Sequence, residues 1–239
     1  MFKSIQPSGL AADSTAARDW TDWQLGSADL EPVVMPPVPV GKRALDLVLT
    51  AAAVFAIAPV FGLVALAILV ADGRPVFYRH RRIGRGGRPF HCLKFRTMAT
   101  GGEAILNRHL ARSAAARQEW QALRKLTDDP RVTRLGSFLR KSSLDELPQL
   151  WNVWKGEMSL VGPRPIVADE LAQYGADQAA YLSVLPGMTG AWQVGGRSDT
   201  TYAERVAMDV DYVRTRSLMG DLRILLQTVG VVLRRSGAR

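Results

Sequence analysis

The chain has 239 residues, 47% hydrophobic and 22% charged, enough apolar material for a real core in one large domain or two small ones. Lys and Arg outnumber Asp and Glu by 31 to 22, a formal charge of +9 that suits polyanions such as nucleic acid, anionic lipid headgroups or phosphorylated substrates. The single cysteine, Cys92, excludes an internal disulfide, and the scattered His80, His91 and His109 offer no zinc-binding spacing.

Residues 1–41 are polar and small and end in the Pro-rich EPVVMPPVPV. No apolar core follows the first lysine, so no secretory signal peptide is read here. Pro36, Pro37 and Pro39 favour an extended linker. The tail is expected to be disordered, with Trp20 and Trp23 able to seed a short membrane-touching helix.

Leu47 to Ala71 carries no charge over 25 residues. As a straight helix it would span roughly 37 Å, enough to cross a bilayer. Pro59, in its middle, removes a backbone bond, and both flanks are basic: Lys42 and Arg43 before, Arg74, Arg79, Arg81 and Arg82 after. A crossing segment concentrates its Lys and Arg on one side. The expectation for 42–73 is therefore a hairpin that enters one leaflet, breaks at Ala58-Pro59 and returns, with residues 74–239 forming the rest of the fold.

Val76–Tyr78 and Phe90–Phe95 read as short strands joined by a Gly84-Arg85-Gly86-Gly87 turn. Lys94 and Arg96 alternate with Leu93 and Phe95, which puts both charges on one strand face. Glu103 to Leu126 has the spacing of an amphipathic surface helix, and Val132 to Lys141 of a short basic one.

The next stretch, RKSSLDELPQLWNVWKGEMSLVGPRP (Arg140–Pro165), holds adjacent carboxylates, Asp145 and Glu146, behind Arg140 and Lys141. Ser143 and Glu146 fit a capping box for a helix starting at Leu144. Pro148 suits a later start, which would leave the carboxylates on a tight bend. Leu147, Leu150, Trp151 and Trp154 recur at helical spacing, as core or, for the tryptophans, at headgroup level. Thr200–Ser217 reads as helix. Gly220–Arg235 is amphipathic and suits either the membrane interface or the domain core.

The Arg140–Pro165 stretch, with KFRTM (Lys94–Met98) and PGMTGAWQVGGRSD (Pro186–Asp199), resembles the bacterial sugar transferases, the monotopic phosphoglycosyl transferases. Likeness runs from about Lys42 to Gly237, nearest to short members that start exopolysaccharide synthesis with galactose or glucose 1-phosphate. It implies a mostly helical α+β fold: a re-entrant membrane helix-hairpin, then a cytoplasmic domain with a small β-hairpin and interfacial amphipathic helices. It also implies transfer of hexose 1-phosphate from a UDP-hexose to undecaprenyl phosphate through a covalent aspartyl intermediate, with Mg²⁺, at the cytoplasmic face of the bacterial inner membrane. Asp145 then takes the nucleophile's place and Glu146 the metal ligand's. Arg164 of Gly-Pro-Arg-Pro, with Lys94, Arg96 and Arg140, would bind phosphate, and Gln193 and Arg197 would face the nucleotide. A homodimer is left open, and nucleic acid is not an expected partner.

Two other classes fit the charge: a membrane-tethered polyanion binder, and a scaffold for polysaccharide export. Neither gives the acidic pair or Gly-Pro-Arg-Pro a task. Release of UMP from UDP-sugars separates an enzyme from both.

Overall fold

The computed structural model describes residues 35–123, 125–196 and 200–233. The tail's expected disorder and the Trp20/Trp23 helix fall on residues 1–34, outside the described ones.

The apolar run is one helix, α1 (Val40–Ala71), of 32 residues. Pro59 lies inside it, and the expected interruption at Ala58-Pro59 does not occur. One missing N–H does not end a helix whose other backbone bonds remain in place. Most of α1 is exposed apolar surface, with Phe55 at 87%, and by length and composition it could cross a membrane. Its buried residues Asp46, Thr50, Val64 and Ile68 fall on one stripe.

Both ends of α1 are fastened to the same domain. Near the start, Arg43 donates to the carbonyls of Val153 (2.7 Å) and Trp154 (2.8 Å). Asp46 Oδ1 accepts from Ser159 Oγ and from Leu160 N, both at 3.1 Å, and Lys42 joins Asp46 to Asp221. Beyond the last turn, Arg96 Nη2 donates to the carbonyls of Asp72 and Gly73 at 2.6 and 2.9 Å, and Thr133 Oγ1 to Asp72 Oδ2 at 3.0 Å.

Strands β1 (Phe77–Ile83) and β2 (Pro89–Phe95) form the expected antiparallel hairpin, in the register His80 with Cys92 and Tyr78 with Lys94. Phe95 packs with Phe61 of α1 and with Phe77. The single long helix expected over 103–126 is two, α2 (Gly102–Arg112) and α3 (Ala114–Leu123). Between them Ser113 is extended and its Oγ accepts from Ala116 N, a local bond that competes with helix continuation.

Helix α4 (Arg134–Lys141) is capped by Thr133, whose hydroxyl accepts from Gly136 N at 2.9 Å. A Cβ on Gly136 would lie 2.0 Å from the Thr97 carbonyl, so this glycine lets α4 press directly on the chain leaving β2. Then come α5 (Gln149–Lys155) and β3 (Ser159–Val161). Helices α6 (Ala168–Leu171) and α7 (Gln178–Leu182) lead to β4 (Gly187–Thr189), which pairs in parallel with β3. This pair was not foreseen from the sequence.

After β4 follow α8 (Ala191–Gly195), α9 (Tyr202–Thr215) and α10 (Leu218–Leu233). Ile224 and Leu225 of α10 pack on the core, while Leu222, Leu226 and Val229 are exposed. The helix therefore has a core face and a second, open apolar face. Trp151 and Trp154 are exposed, at 58% and 48%, and are not core.

Candidate active site

The carboxylates sit on a single 3₁₀ turn, Leu144–Glu146, ahead of α5. The capping box is absent: Ser143 makes no side-chain cap, and its φ of 56° is left-handed. A non-glycine residue held there is strained, and such strain gathers at functional sites. The later-starting α5 is the outcome observed, with Pro148 at its N-cap.

Asp145 is buried, at 8% exposure. Burial pushes its carboxyl up to about 6; Lys94 and Arg140 oppose this, and the Glu146 charge adds to it. Glu146 is unlike its neighbour. Lys94 Nζ lies 2.6 Å from Glu146 Oε1. Burial pushes Glu146 upward too, but Lys94, Arg164 and Arg82 outweigh it and hold the carboxyl below its ordinary value.

Lys94 reaches Glu146 from β2, and the face it shares also holds Cys92, with His80 and Arg82 across on β1. Arg82 Nη2 lies 3.2 Å from His80 Nδ1 and Nη1 lies 3.6 Å from Glu170. Burial, then Arg82, Lys94 and Arg164, lower His80 to about 4, so it is neutral at pH 7. Burial raises the Cys92 thiol to about 11, which leaves it unreactive.

Arg164 comes from the loop after β3. That loop is set by backbone contacts that no side chain could share: a Cβ on Gly162 would lie 2.5 Å from the Leu185 carbonyl, and one on Gly190 2.2 Å from the Gly162 carbonyl. The Gly-Pro-Arg-Pro turn and the start of α8 are thereby locked together. Arg164 Cζ lies 5.6 Å from the Trp192 ring centroid.

The structure thus gathers Asp145, Glu146, Lys94 and Arg164, with Arg140 acting on Asp145 through its charge. Arg140 Nε is held by Thr97 Oγ1 at 2.9 Å. Gln193 lies on α8 beside Trp192, its Nε2 donating to the Met188 carbonyl. Arg96 is turned to the end of α1. Arg197 lies outside the described residues. Arg82 was missed as a site cation. Its signal was there, since Arg82 alternates with His80 just as Lys94 does with Cys92. Among the described residues no group of three or more His, Cys, Asp or Glu side chains is arranged to hold a metal ion.

The arrangement pairs a buried, weakly acidic carboxyl with an ionised one inside an excess of fixed positive charge. Such an arrangement can attract a polyanion and present a carboxylate to it.

The pattern of the family "Bacterial sugar transferase" matches residues 38–235. The exopolysaccharide production protein ExoY of Sinorhizobium fredii is 49% identical over 199 residues, 83% of this chain and 88% of the relative. The UDP-galactose-lipid carrier transferase of Erwinia amylovora is 50% identical over 198 residues, 82% of this chain but 41% of the relative. The undecaprenyl-phosphate galactose phosphotransferase of Salmonella typhimurium is 54% identical over 167 residues, 70% of this chain and 35% of the relative. The chain thus spans most of ExoY and less than half of the two longer relatives. A carboxylate pair on a strained turn, cations from β1, β2 and the Gly-Pro-Arg-Pro loop, and a family match over nearly all the described residues agree: the chain is an enzyme of the bacterial sugar transferase family.

Proposed function

We propose that the chain transfers a hexose 1-phosphate from a UDP-hexose to undecaprenyl phosphate, releasing UMP, as the first membrane step of an exopolysaccharide pathway. The observation that carries this reading is the contrast between buried Asp145 and ion-paired Glu146 amid Lys94, Arg82 and Arg164. The names of the relatives, a UDP-galactose-lipid carrier transferase and an undecaprenyl-phosphate galactose phosphotransferase among them, support the substrate classes.

Arg164 and Lys94 bind and neutralise the donor diphosphate, Arg164 through its planar fork. An oxygen of ionised Asp145 attacks the phosphorus that carries the sugar. The bond from that phosphorus to the bridging oxygen breaks, and the electron pair leaves with UMP. The enzyme now holds an acyl phosphate between Asp145 and the sugar phosphate. A phosphate oxygen of the lipid attacks the same phosphorus and the Asp145 carboxylate leaves, restored. The bond between sugar and phosphate oxygen is never broken, so the anomeric configuration is retained.

For Mg²⁺, the adjacent carboxylates fit an ion that takes one or two protein oxygens and fills its shell with substrate phosphate and water. Glu146, ionised and with a side chain 35% exposed, would hold it. When bound, the ion would neutralise charge on the diphosphate.

The lipid acceptor is confined to a bilayer, so the site must meet it at headgroup depth. Exposed apolar α1, fastened at both ends to one domain, supports a helix seated in a single leaflet on the cytoplasmic face of the inner membrane. The exposed Trp151 and Trp154 sit near the site, on α5, and suit the same surface.

The purified chain is tested with a panel of UDP-hexoses, Mg²⁺ and undecaprenyl phosphate. UMP and a sugar diphospholipid are expected. Release of UDP in place of UMP would show transfer of the bare sugar and defeat the reading, and no nucleotide release would return a binding or scaffold role.

A further inference from the structure

Arg205, on α9, is a buried cation with unused hydrogen-bond donors. Its side chain is 9% exposed, and Nε and Nη2 are enclosed without an acceptor. Asp209, one turn along, lies 4.0 Å from Nε, too far for a hydrogen bond. Tyr174 Oη donates to Asp209 Oδ2 at 2.8 Å and so holds that oxygen to another partner. Stacking fixes the guanidinium instead: its Cζ lies 4.8 Å from the Trp192 ring centroid and 4.9 Å from that of Tyr202.

The indole that carries Arg205 also carries Arg164, at 5.6 Å, and is anchored by Nε1 donating to Thr200 Oγ1 at 2.7 Å. Two guanidinium groups thus lie against one ring. Buried donors left unpaired destabilise a folded protein and call for a partner. Trp192 cannot accept a hydrogen bond. Asp209 Oδ1 is enclosed without a donor as well, yet makes no hydrogen bond to Arg205, so an oxygen-rich anion is a partner that would satisfy these N–H groups.

We propose that Arg205 is a second donor-binding residue, whose free N–H groups take an oxygen of the nucleoside diphosphate beside Trp192. This rests on the reading that Arg164 binds that diphosphate, and it extends the donor site from the Gly-Pro-Arg-Pro loop to α9. Asp209 offsets the charge of Arg205 without occupying its donors.

The test is UDP binding by calorimetry on the full chain in detergent with Mg²⁺, for Arg205→Gln, Asp209→Asn and Arg164→Met. Arg205→Gln should weaken UDP binding about tenfold or more, the loss of one charge-assisted contact. Asp209→Asn, which leaves Arg205 in place, should bind UDP at least as tightly as the native chain. Unchanged affinity in Arg205→Gln overturns the proposal, and so does an equal loss in Arg205→Gln and Asp209→Asn, which would mean that the pair only supports the fold. Should Arg205→Gln not fold, Arg205→Lys replaces it: the lost fork predicts a severalfold weaker complex, and native affinity overturns the proposal. Arg164→Met separates the two readings. Native affinity there with a loss in Arg205→Gln removes Arg164 from the donor site and keeps Arg205 in it.

Discussion

Lys94 Nζ lies 2.6 Å from Glu146 Oε1, and this contact from β2 to the Leu144–Glu146 turn makes two adjacent carboxylates unlike. Glu146 is held ionised by Lys94 and the surrounding arginines, while burial raises Asp145 toward neutrality. A turn that presents one stable anion and one poised carboxyl can divide metal binding and attack between them.

Glu146→Gln should raise the Mg²⁺ concentration needed for half-maximal activity, because the proposed metal site would lose its charged oxygen ligand. The ion pair with Lys94 goes as well, but with a Glu146 side chain 35% exposed its loss should change stability by only about 1 kcal/mol or less. A metal titration measures the first effect and thermal melting the second. An unchanged titration would leave Glu146 as a tether for Lys94 alone.

With burial raising Asp145 to about 6 and Asp145 as the proposed nucleophile, kcat/KM should fall about tenfold per pH unit below that value. Stability should move the other way. A carboxyl whose folded value is raised binds its proton more tightly folded than unfolded, so it lowers stability at neutral pH, and that cost shrinks as pH falls from about 6 and is gone below the ordinary value of 3.8. Asp145→Asn, which carries no charge, should therefore be more stable than the native chain at pH 7.5, by about 3 kcal/mol at most. A variant less stable at that pH would show that ionised Asp145 is held by favourable contacts.

Arg96 donates to the Asp72 and Gly73 carbonyls, and its Nε and Nη1 are enclosed. Arg96→Gln should lower stability by about 1–3 kcal/mol through the lost bonds at the end of α1, with the KM for UDP-sugar nearly unchanged. A large rise in KM at native stability would place Arg96 on the substrate.

Local patterns made much of this legible. The uncharged run gave α1, the alternation around Gly84–Gly87 gave the hairpin, and Asp145-Glu146 and Gly-Pro-Arg-Pro stood out by residue type. What the sequence hid depends on contacts between distant segments. Strands of three residues, as in β3 and β4, carry no period, and their pairing rests on glycine backbones meeting at Gly162, Gly187 and Gly190. Ser143 suggests a cap by its type but adopts a left-handed conformation. Arg96 and Lys94 alternate correctly on the strand, yet the end of α1 captures one and Glu146 the other. Arg205 reads as an ordinary helix cation until Trp192 is seen beneath it.

The two ends of α1 should lie on one side of the membrane. A straight helix of 32 residues is about 48 Å long, yet both of its ends bond to the same domain. Cysteines placed at Val40, which is 85% exposed, and at Arg74, in a chain with Cys92→Ser, should both resist an impermeant thiol reagent in intact spheroplasts and both react after permeabilisation. Labelling of position 40 alone from outside would establish a crossing helix.

The covalent step can be observed directly. With UDP-sugar and Mg²⁺ but no lipid acceptor, acid-quenched enzyme analysed by mass spectrometry should gain one hexose phosphate, on the peptide that contains Asp145. Asp145→Asn should gain none and should retain less than about a hundredth of the native rate, a barrier higher by about 2.7 kcal/mol. Native enzyme that turns over without an adduct, beside an Asp145→Asn variant that keeps substantial activity, would mean that the lipid phosphate attacks the donor directly and that Asp145 is not the nucleophile.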